Sequence, residues 1–261
     1  MKLIIKTTAL LAIMTSVLSC SIKEDRTHCP CRLSMDITAC SPYGEKVILA
    51  AWGTGRIFSE TVAVSDYPET YDRGVPKGYV HAIACSALEE SALSGRYILI
   101  PEGRQTDKVM ARSELVDCRG ETAHDKVTLH KQYATVHLNV DCPDGGAYPY
   151  SLAVKGNING LDLVTLEPVE GPYSSALQAN PDGTSWEFRL PRQKTGSKIE
   201  LQVIHEGEVR DTLPLYRWIE ATGYSWKETD LKDISITMDY ARTHVTVIVQ
   251  GWEGISLEII I

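Results

Sequence analysis

The residues with the most definite chemistry lie near the start of the chain. Lys2 and Lys6 precede Thr7 to Leu18, an uncharged apolar run of 12 residues that ends in Val17-Leu18-Ser19-Cys20. A bilayer span needs about 20 residues, so the run has the length of a secretory signal core. An aliphatic residue, two more and then Cys is the pattern of a lipobox. A signal peptidase would cut before Cys20, and the Cys20 thiol would carry diacylglycerol through a thioether. Leu18 is bulkier than the small residue usual at that position. No A-x-A-like site competes, so residues 1–19 read as a lipoprotein signal peptide and Cys20 as the lipidated residue. Fatty-acyl burial contributes about 0.8 kcal/mol per methylene, enough for a multiply acylated Cys to hold a chain on a membrane. No other segment reaches spanning length.

The other cysteines are Cys29, Cys31, Cys40, Cys85, Cys118 and Cys142. An even count in an exported chain permits disulfides, and six thiols allow about 15 full connectivities. Cys29-Pro30-Cys31 does not bridge easily to itself, because the spacing is short and the Pro is stiff. His28-Cys29-x-Cys31 lacks the wider spacing and the second ligand pair of a zinc site. The seven His are scattered singly, and His137 and His244 lie inside strand patterns. Asp141-Cys142-Pro143-Asp144-Gly145-Gly146 lacks the acidic ladder and distal Glu of a calcium loop. It reads instead as a hairpin turn. There is no nucleophile elbow, P-loop, dinucleotide fingerprint or zinc-protease motif. Glu89-Glu90 is one acidic pair among 34 acidic residues and suggests no glycosidase chemistry. The expectation is a chain with no catalytic residues, no metal site and no cofactor.

The segment after Cys20 adds a sorting signal. Ser21-Ile22-Lys23-Glu24-Asp25 resembles the surface-export signal of Bacteroidota lipoproteins, a Lys and two acids just beyond the lipidated Cys. It implies a lipid-anchored protein of the outer membrane that faces the cell exterior. The same charges also make a solvated tether.

Composition narrows the class further. The 261 residues are 43% hydrophobic and 23% charged, ordinary for a folded chain, with a formal net charge of −8. Without residues 1–19, 24 basic residues face 34 acidic ones, a net charge of −10. Nothing here favours nucleic acid as a partner. Twelve Tyr and five Trp against two Phe suit thin, half-wet β-layers. The same surplus motivates an alternative function, a surface glycan-binding lipoprotein of a nutrient-uptake system.

The elements that must position these groups read as strands. Leu33, Met35 and Ile37 alternate with polar residues, and Val47 to Trp52 is a short apolar run. Arg96 to Ile100 runs into Pro101, and Trp186 to Leu190 into Pro191. Alternation returns at Thr135 to Val140, Ile234 to Met238 and Val245 to Val249. Glu206-Gly207-Glu208 turns Ile199–Val203 back on Val209–Leu215 as a hairpin. Val109 to Val116 is the best candidate for a short helix. Short strands and Gly, Pro and Asp turns predict an all-β chain of sandwiches. The expected division is a signal peptide at 1–19, a tether at 20–31, and two β-sandwich domains at 32–128 and 129–261. Ile255, Leu257, Ile259 and Ile261 share one face of a last strand that something must bury. Either it completes its own sandwich, or it is a donor strand that fills another subunit's groove.

Several of these features together resemble one family. They are Cys20, the stretch Asp25-Arg26-Thr27-His28-Cys29-Pro30, and the strand Gly95 to Ile100 that ends in Pro101. Leu129 to Val136 opens the second half, and Val245 to Trp252 closes it. In this order and spacing the chain resembles the FimB-type fimbrial anchor lipoproteins of type V pili. The resemblance implies two transthyretin-like sandwiches on a lipid tether and no enzyme activity. It implies a role at the pilus base, holding the shaft to the outer membrane and limiting its length. The implied partner is a fimbrial stalk subunit joined by β-strand addition. Stalk subunits of the family lose their first strand to a protease that cuts after an Arg, whereas anchors keep it. Arg26 and Arg32 stand near that position here.

Overall fold

The structure is a computed structural model that describes residues 29–241, 244–249 and 256–260. The chain is all-β, with one short α-helix among the described residues. The first strands are β1 (Cys31–Asp36), β2 (Lys46–Trp52), β3 (Arg56–Ala63), β4 (Tyr71–Val75) and β5 (Tyr79–Ser86). Next come β6 (Ala92–Ser94), β7 (Tyr97–Leu99), β8 (Met110–Asp117), β9 (Thr122–Lys126) and β10 (His130–Lys131). The second half holds β11 (Tyr133–Asp141), β12 (Ser151–Asp162), β13 (Pro168–Leu177), β14 (Ser185–Pro191), β15 (Ile199–His205) and β16 (Glu208–Leu213). Helix α1 (Leu215–Ala221) precedes β17 (Ile234–Asp239), β18 (His244–Val249) and β19 (Ser256–Ile260).

Four sheets form two sandwiches. A three-stranded sheet, β4-β1-β9, faces a five-stranded one, β10-β8-β5-β2-β3. Leu33, Met35 and Tyr71 of the first meet Val47, Leu49 and Ala84 of the second in one buried cluster. The second sandwich faces β14-β11-β17-β18-β19 against β16-β15-β12-β7-β6, with β13 also paired to β12. Its core joins Val136, Leu138 and Phe188 to Leu152, Val154 and Leu201, and α1 adds Trp218 and Ile219. The alternation in β11 explains its place. Ala134, Val136, Leu138 and Val140 are buried, and Asn139 is exposed between them.

The turn at Glu206-Gly207 forms as expected, with both residues at positive φ (53° and 83°). That is the backbone of a two-residue primed turn, whose twist matches the flanking strands β15 and β16.

Three readings need correction. The segment Val109 to Val116 falls almost wholly in strand β8, laddered to β5 from Tyr79↔Asp117 to Cys85↔Ala111. Its sparse apolar residues fit neither period well, and pairing on both edges decided the outcome. Asp141 to Gly146 makes no hairpin: a 3-10 turn at Pro143–Gly145 carries the chain from β11 in one sheet to β12 in the opposite one. Residues 92–99 lie within the first expected domain, yet β6 and β7 join the six-stranded sheet of the second sandwich.

Candidate functional site

Three regions stand out: the first strand β1, the junction of the sandwiches and the last strands β17 to β19. Entry is through β1, the middle strand of its sheet. It pairs antiparallel with β4 (Cys31↔Val75 to Met35↔Tyr71) and parallel with β9 (Arg32↔Thr122 to Asp36↔Lys126). Cys31, Leu33 and Met35 are fully buried. On the other face, Asp72 accepts hydrogen bonds from Ser34 Oγ and from Arg32, both at 2.5 Å. The hydrogen bond from Arg32, then that from Ser34, holds the Asp72 carboxyl below its usual range. The Arg32 side chain is exposed, but its N–H donates to Glu121 O at 2.8 Å. The backbone around Arg32 is therefore laddered on both sides, a poor substrate for a protease while β1 is in place.

The sandwiches meet through a core of their own. Ile48 of β2 and Ile83 of β5 leave the outer face of the five-stranded sheet and pack on Ile98, Leu161 and Leu163. Burying five large aliphatic side chains contributes about 8–15 kcal/mol before ordering costs. Strand β12 is long enough to serve both sites. Its first half pairs with β15 in the second sandwich, and Gly160 to Asp162 pair with β7 at the junction. A Cβ on Gly160 would stand 2.3 Å from Ile98 O, so this close strand approach requires glycine.

Polar contacts lock the same junction. Arg96 pairs with the buried Asp162 at 2.7 Å, and Ser113 Oγ of β8 donates to Val164 O at 2.7 Å. The Arg189 guanidinium of β14 donates to Thr106 O at 2.7 Å. The connection between the sandwiches is held from one loop of the second. Asp230 accepts from the Lys131 N–H at 2.7 Å, and Asp233 accepts from Lys131 Nζ and the Thr135 N–H. Arg192 is 8% exposed and has no carboxylate in contact among the described residues. Its guanidinium donates to Gln132 Oε1 (2.7 Å) and to the carbonyls of Trp226 (2.5 Å), Glu228 (2.9 Å) and Thr229 (3.2 Å). Burial pushes the Arg192 pKa below its usual value. The open cleft beside it, about 880 Å³, is lined by His130, Glu167, Arg192, Trp226 and Thr229 among others. The arrangement clamps the connecting segment and leaves little freedom for a hinge. Among the described residues no three His, Cys, Asp or Glu are grouped to hold a metal.

The chain leaves through β17, β18 and β19. Strand β18 pairs antiparallel with β17, and β19 with β18, in the register Val247↔Leu257 and Val245↔Ile259. Leu257 and Ile259 therefore lie on the last strand of the second sandwich's own sheet, at its edge. Ile255 and Ile261 lie outside the described residues, as do Cys20, Lys23, Glu24 and Asp25. Sequence reasoning missed the junction residues. The run Val47–Ala51 was their signal, since a strand apolar on both faces must be covered on both.

No family model and no curated relative matches this chain. Solved structures do. A candidate adhesin from Bacteroides ovatus is 12% identical, with 92% of this chain and 97% of that one covered and a TM-score of 0.61. The fimbrial anchor protein Mfa2 from Porphyromonas gingivalis is 12% identical, with 86% and 98% covered and a TM-score of 0.59. A candidate polysaccharide-binding protein from Bacteroides thetaiotaomicron is 12% identical, with 88% and 98% covered and a TM-score of 0.57. At such identities these likenesses establish a shared fold over nearly the whole chain.

Proposed function

We propose that this chain, which shares its fold with a fimbrial anchor, is a cell-surface lipoprotein that anchors a fimbria to the outer membrane. In this reading Cys20 carries the lipid, and Lys23, Glu24 and Asp25 direct the protein to the cell exterior. The two sandwiches carry load from the tether to a fimbrial stalk subunit joined by β-strand addition. Occupying the base of the shaft would also limit its length. The role is structural and non-enzymatic.

The observation that carries the proposal is the likeness to Mfa2 over 98% of that chain. Two features of the body support it. The junction has its own apolar core and polar locks, as a load-bearing link requires. Strand β1 is ladder-bonded on both sides, and in this reading the chain keeps that strand. The C-terminal strand is proposed as the donor. In the isolated chain β19 rests on β18, so donation requires it to detach from that edge and enter the stalk subunit.

The likeness to a candidate polysaccharide-binding protein favours a second reading, glycan capture. A sugar platform needs aromatic faces that converge on one exposed surface. Here the exposed Tyr79 lies under the Arg119 guanidinium and Tyr97 under that of Arg96, while Tyr240 leans edge-on against buried Tyr148. Each of these three rings is engaged by its own neighbour.

Deletion of residues 255–261, beside a Cys20→Ala variant, tests the proposal in cells that assemble the fimbria. The anchor reading expects intact fimbriae in the culture medium in both cases, and from Cys20→Ala a protein lost from the membrane fraction. Fimbriae retained on the cells in both variants would overturn it.

A further inference from the structure

We infer that Cys31 and Cys118 form a disulfide in the exported protein, a cross-link that fastens the first strand, and with it the tether, to the opposite sheet of the first sandwich. The inference rests on the export reading, because such bonds persist in oxidising compartments.

The geometry comes from two connections at one end of that sandwich. Cys31 opens β1 and pairs with Val75, while the Cys118 N–H donates to Gly78 O at 2.7 Å. Val75 and Gly78 bound the same short turn between β4 and β5. The next turn repeats the relation: Cys118 begins it, and Glu121 near its end accepts from the Arg32 N–H at 2.8 Å. The two cysteines thus flank both turns, one on each sheet. Both thiols are free, fully buried and in the same core cluster. Cys40 shares that core cluster but sits in the 3-10 turn Thr38–Tyr43, beyond the far end of β1 from Cys31. Cys85 is buried at the junction, Cys142 is half-buried on the second core, and Cys29 is exposed.

The bond must form during folding. Burial, and then the adjacent Cys31 thiol, push the Cys118 pKa well above the usual thiol range, so the closed core supplies almost no thiolate. While the chain is open, one thiolate attacks a small or protein disulfide oxidant and the second displaces the mixed disulfide. The S–S bond forms as two S–H bonds are lost. The oxidant takes the two electrons and is released as a dithiol, with the two protons taken up on its sulfurs. Mechanically, pull on the tether reaches β1 first. A bond at its first residue passes that load to the end of β8 before the β1–β9 ladder can peel.

The test uses the full protein isolated from its own cells, alkylated without reductant in denaturant, digested and analysed by mass spectrometry. A linked pair of peptides carrying Cys31 and Cys118, separated by reductant, is expected. Alkylation of both thiols in a protein whose Cys20 is acylated would overturn the inference and leave the export reading intact. A Cys29–Cys118 link would overturn it too. If Cys20 is unmodified and residues 1–19 are retained, the export reading itself has failed. The same protein, reduced, unfolded and refolded with oxidised glutathione, then decides the geometry: the linked pair sustains the cross-link, and free thiols refute it. Removing the link should lower Tm by about 5–15 °C. Cys31→Ala, Cys118→Ala and the double variant should lose the same amount, and wild type refolded in reductant should match them. Additive losses that are indifferent to reductant would mark two packed thiols.

Discussion

The middle strands of the two sandwiches share a hairpin-rich, all-β context but not a burial pattern. Along β11 one face is core and the other is half-wet, so burial alternates. Along β2 and β5 it does not: Val47 to Ala51 and Ala82 to Ser86 are buried without interruption. The outer face of that sheet carries Ile48 and Ile83 into a junction shared with β7 and β12. A sheet covered on both sides behaves as interior, and the cover here belongs to the other sandwich. The two units are therefore coupled through packing, whereas tandem domains often touch only across small polar surfaces.

The sharpest way to break this comparison is to place a charge on each outer face. Ile83→Asp should destabilise by more than about 4 kcal/mol, because the carboxylate has no partner in the junction. Asn139→Asp, at the matching outward position of β11, should change stability by at most about 0.5 kcal/mol. Urea unfolding of both variants checks the contrast, and equal effects would mean the junction is wet. Next in size is the clamp on the connecting segment. Arg192→Ala should cost about 2–4 kcal/mol by orphaning Gln132 and three carbonyls. Arg192→Lys should recover only part, since an ammonium cannot span the same acceptors. Calorimetry would resolve one transition in wild type, and two in Arg192→Ala if the clamp couples the sandwiches.

The smallest effect depends on pH. Burial raises the Asp233 pKa, but the hydrogen bonds from Lys131 Nζ and the Thr135 N–H outweigh it and hold the carboxyl below its usual value. A depressed folded-state pKa contributes stability above the unfolded value near 4, and that contribution is lost as pH falls through the lower folded value. Asp233→Asn should therefore cost about 1–2 kcal/mol at pH 7. The gap from wild type should close as the pH is lowered below about 4. Melting curves over pH 2 to 7 read it directly, and a gap independent of pH would refute the assignment.

Much of the fold was legible from local pattern. Period-two alternation of apolar residues picked out β1, β11, β17 and β18, and the Glu206-Gly207 turn marked the β15–β16 hairpin. Ladders over β8 replaced the helix expected there, because its sparse apolar residues specify no face alone. Of the candidate site, only linear motifs were legible: Cys20, Lys23-Glu24-Asp25, for which lipidation and export are proposed, and the apolar last strand. Gln132, Arg192 and the loop at Trp226 to Thr229 meet across about 100 residues of chain, with no spacing rule to announce them.

By itself the sequence determined the strand faces and the hairpin turn, because each depends on neighbours a few residues apart. Only the tertiary structure decided which sheet each strand joins. Strands β6 and β7 follow β5 in the chain, yet they pair with each other and β7 joins β12, about 60 residues further on. Main-chain hydrogen bonds are alike at every edge, so the choice fell to what each side chain could bury. Ile98 found its cover against Ile83 and Leu161, and that contact made two sandwiches into one body.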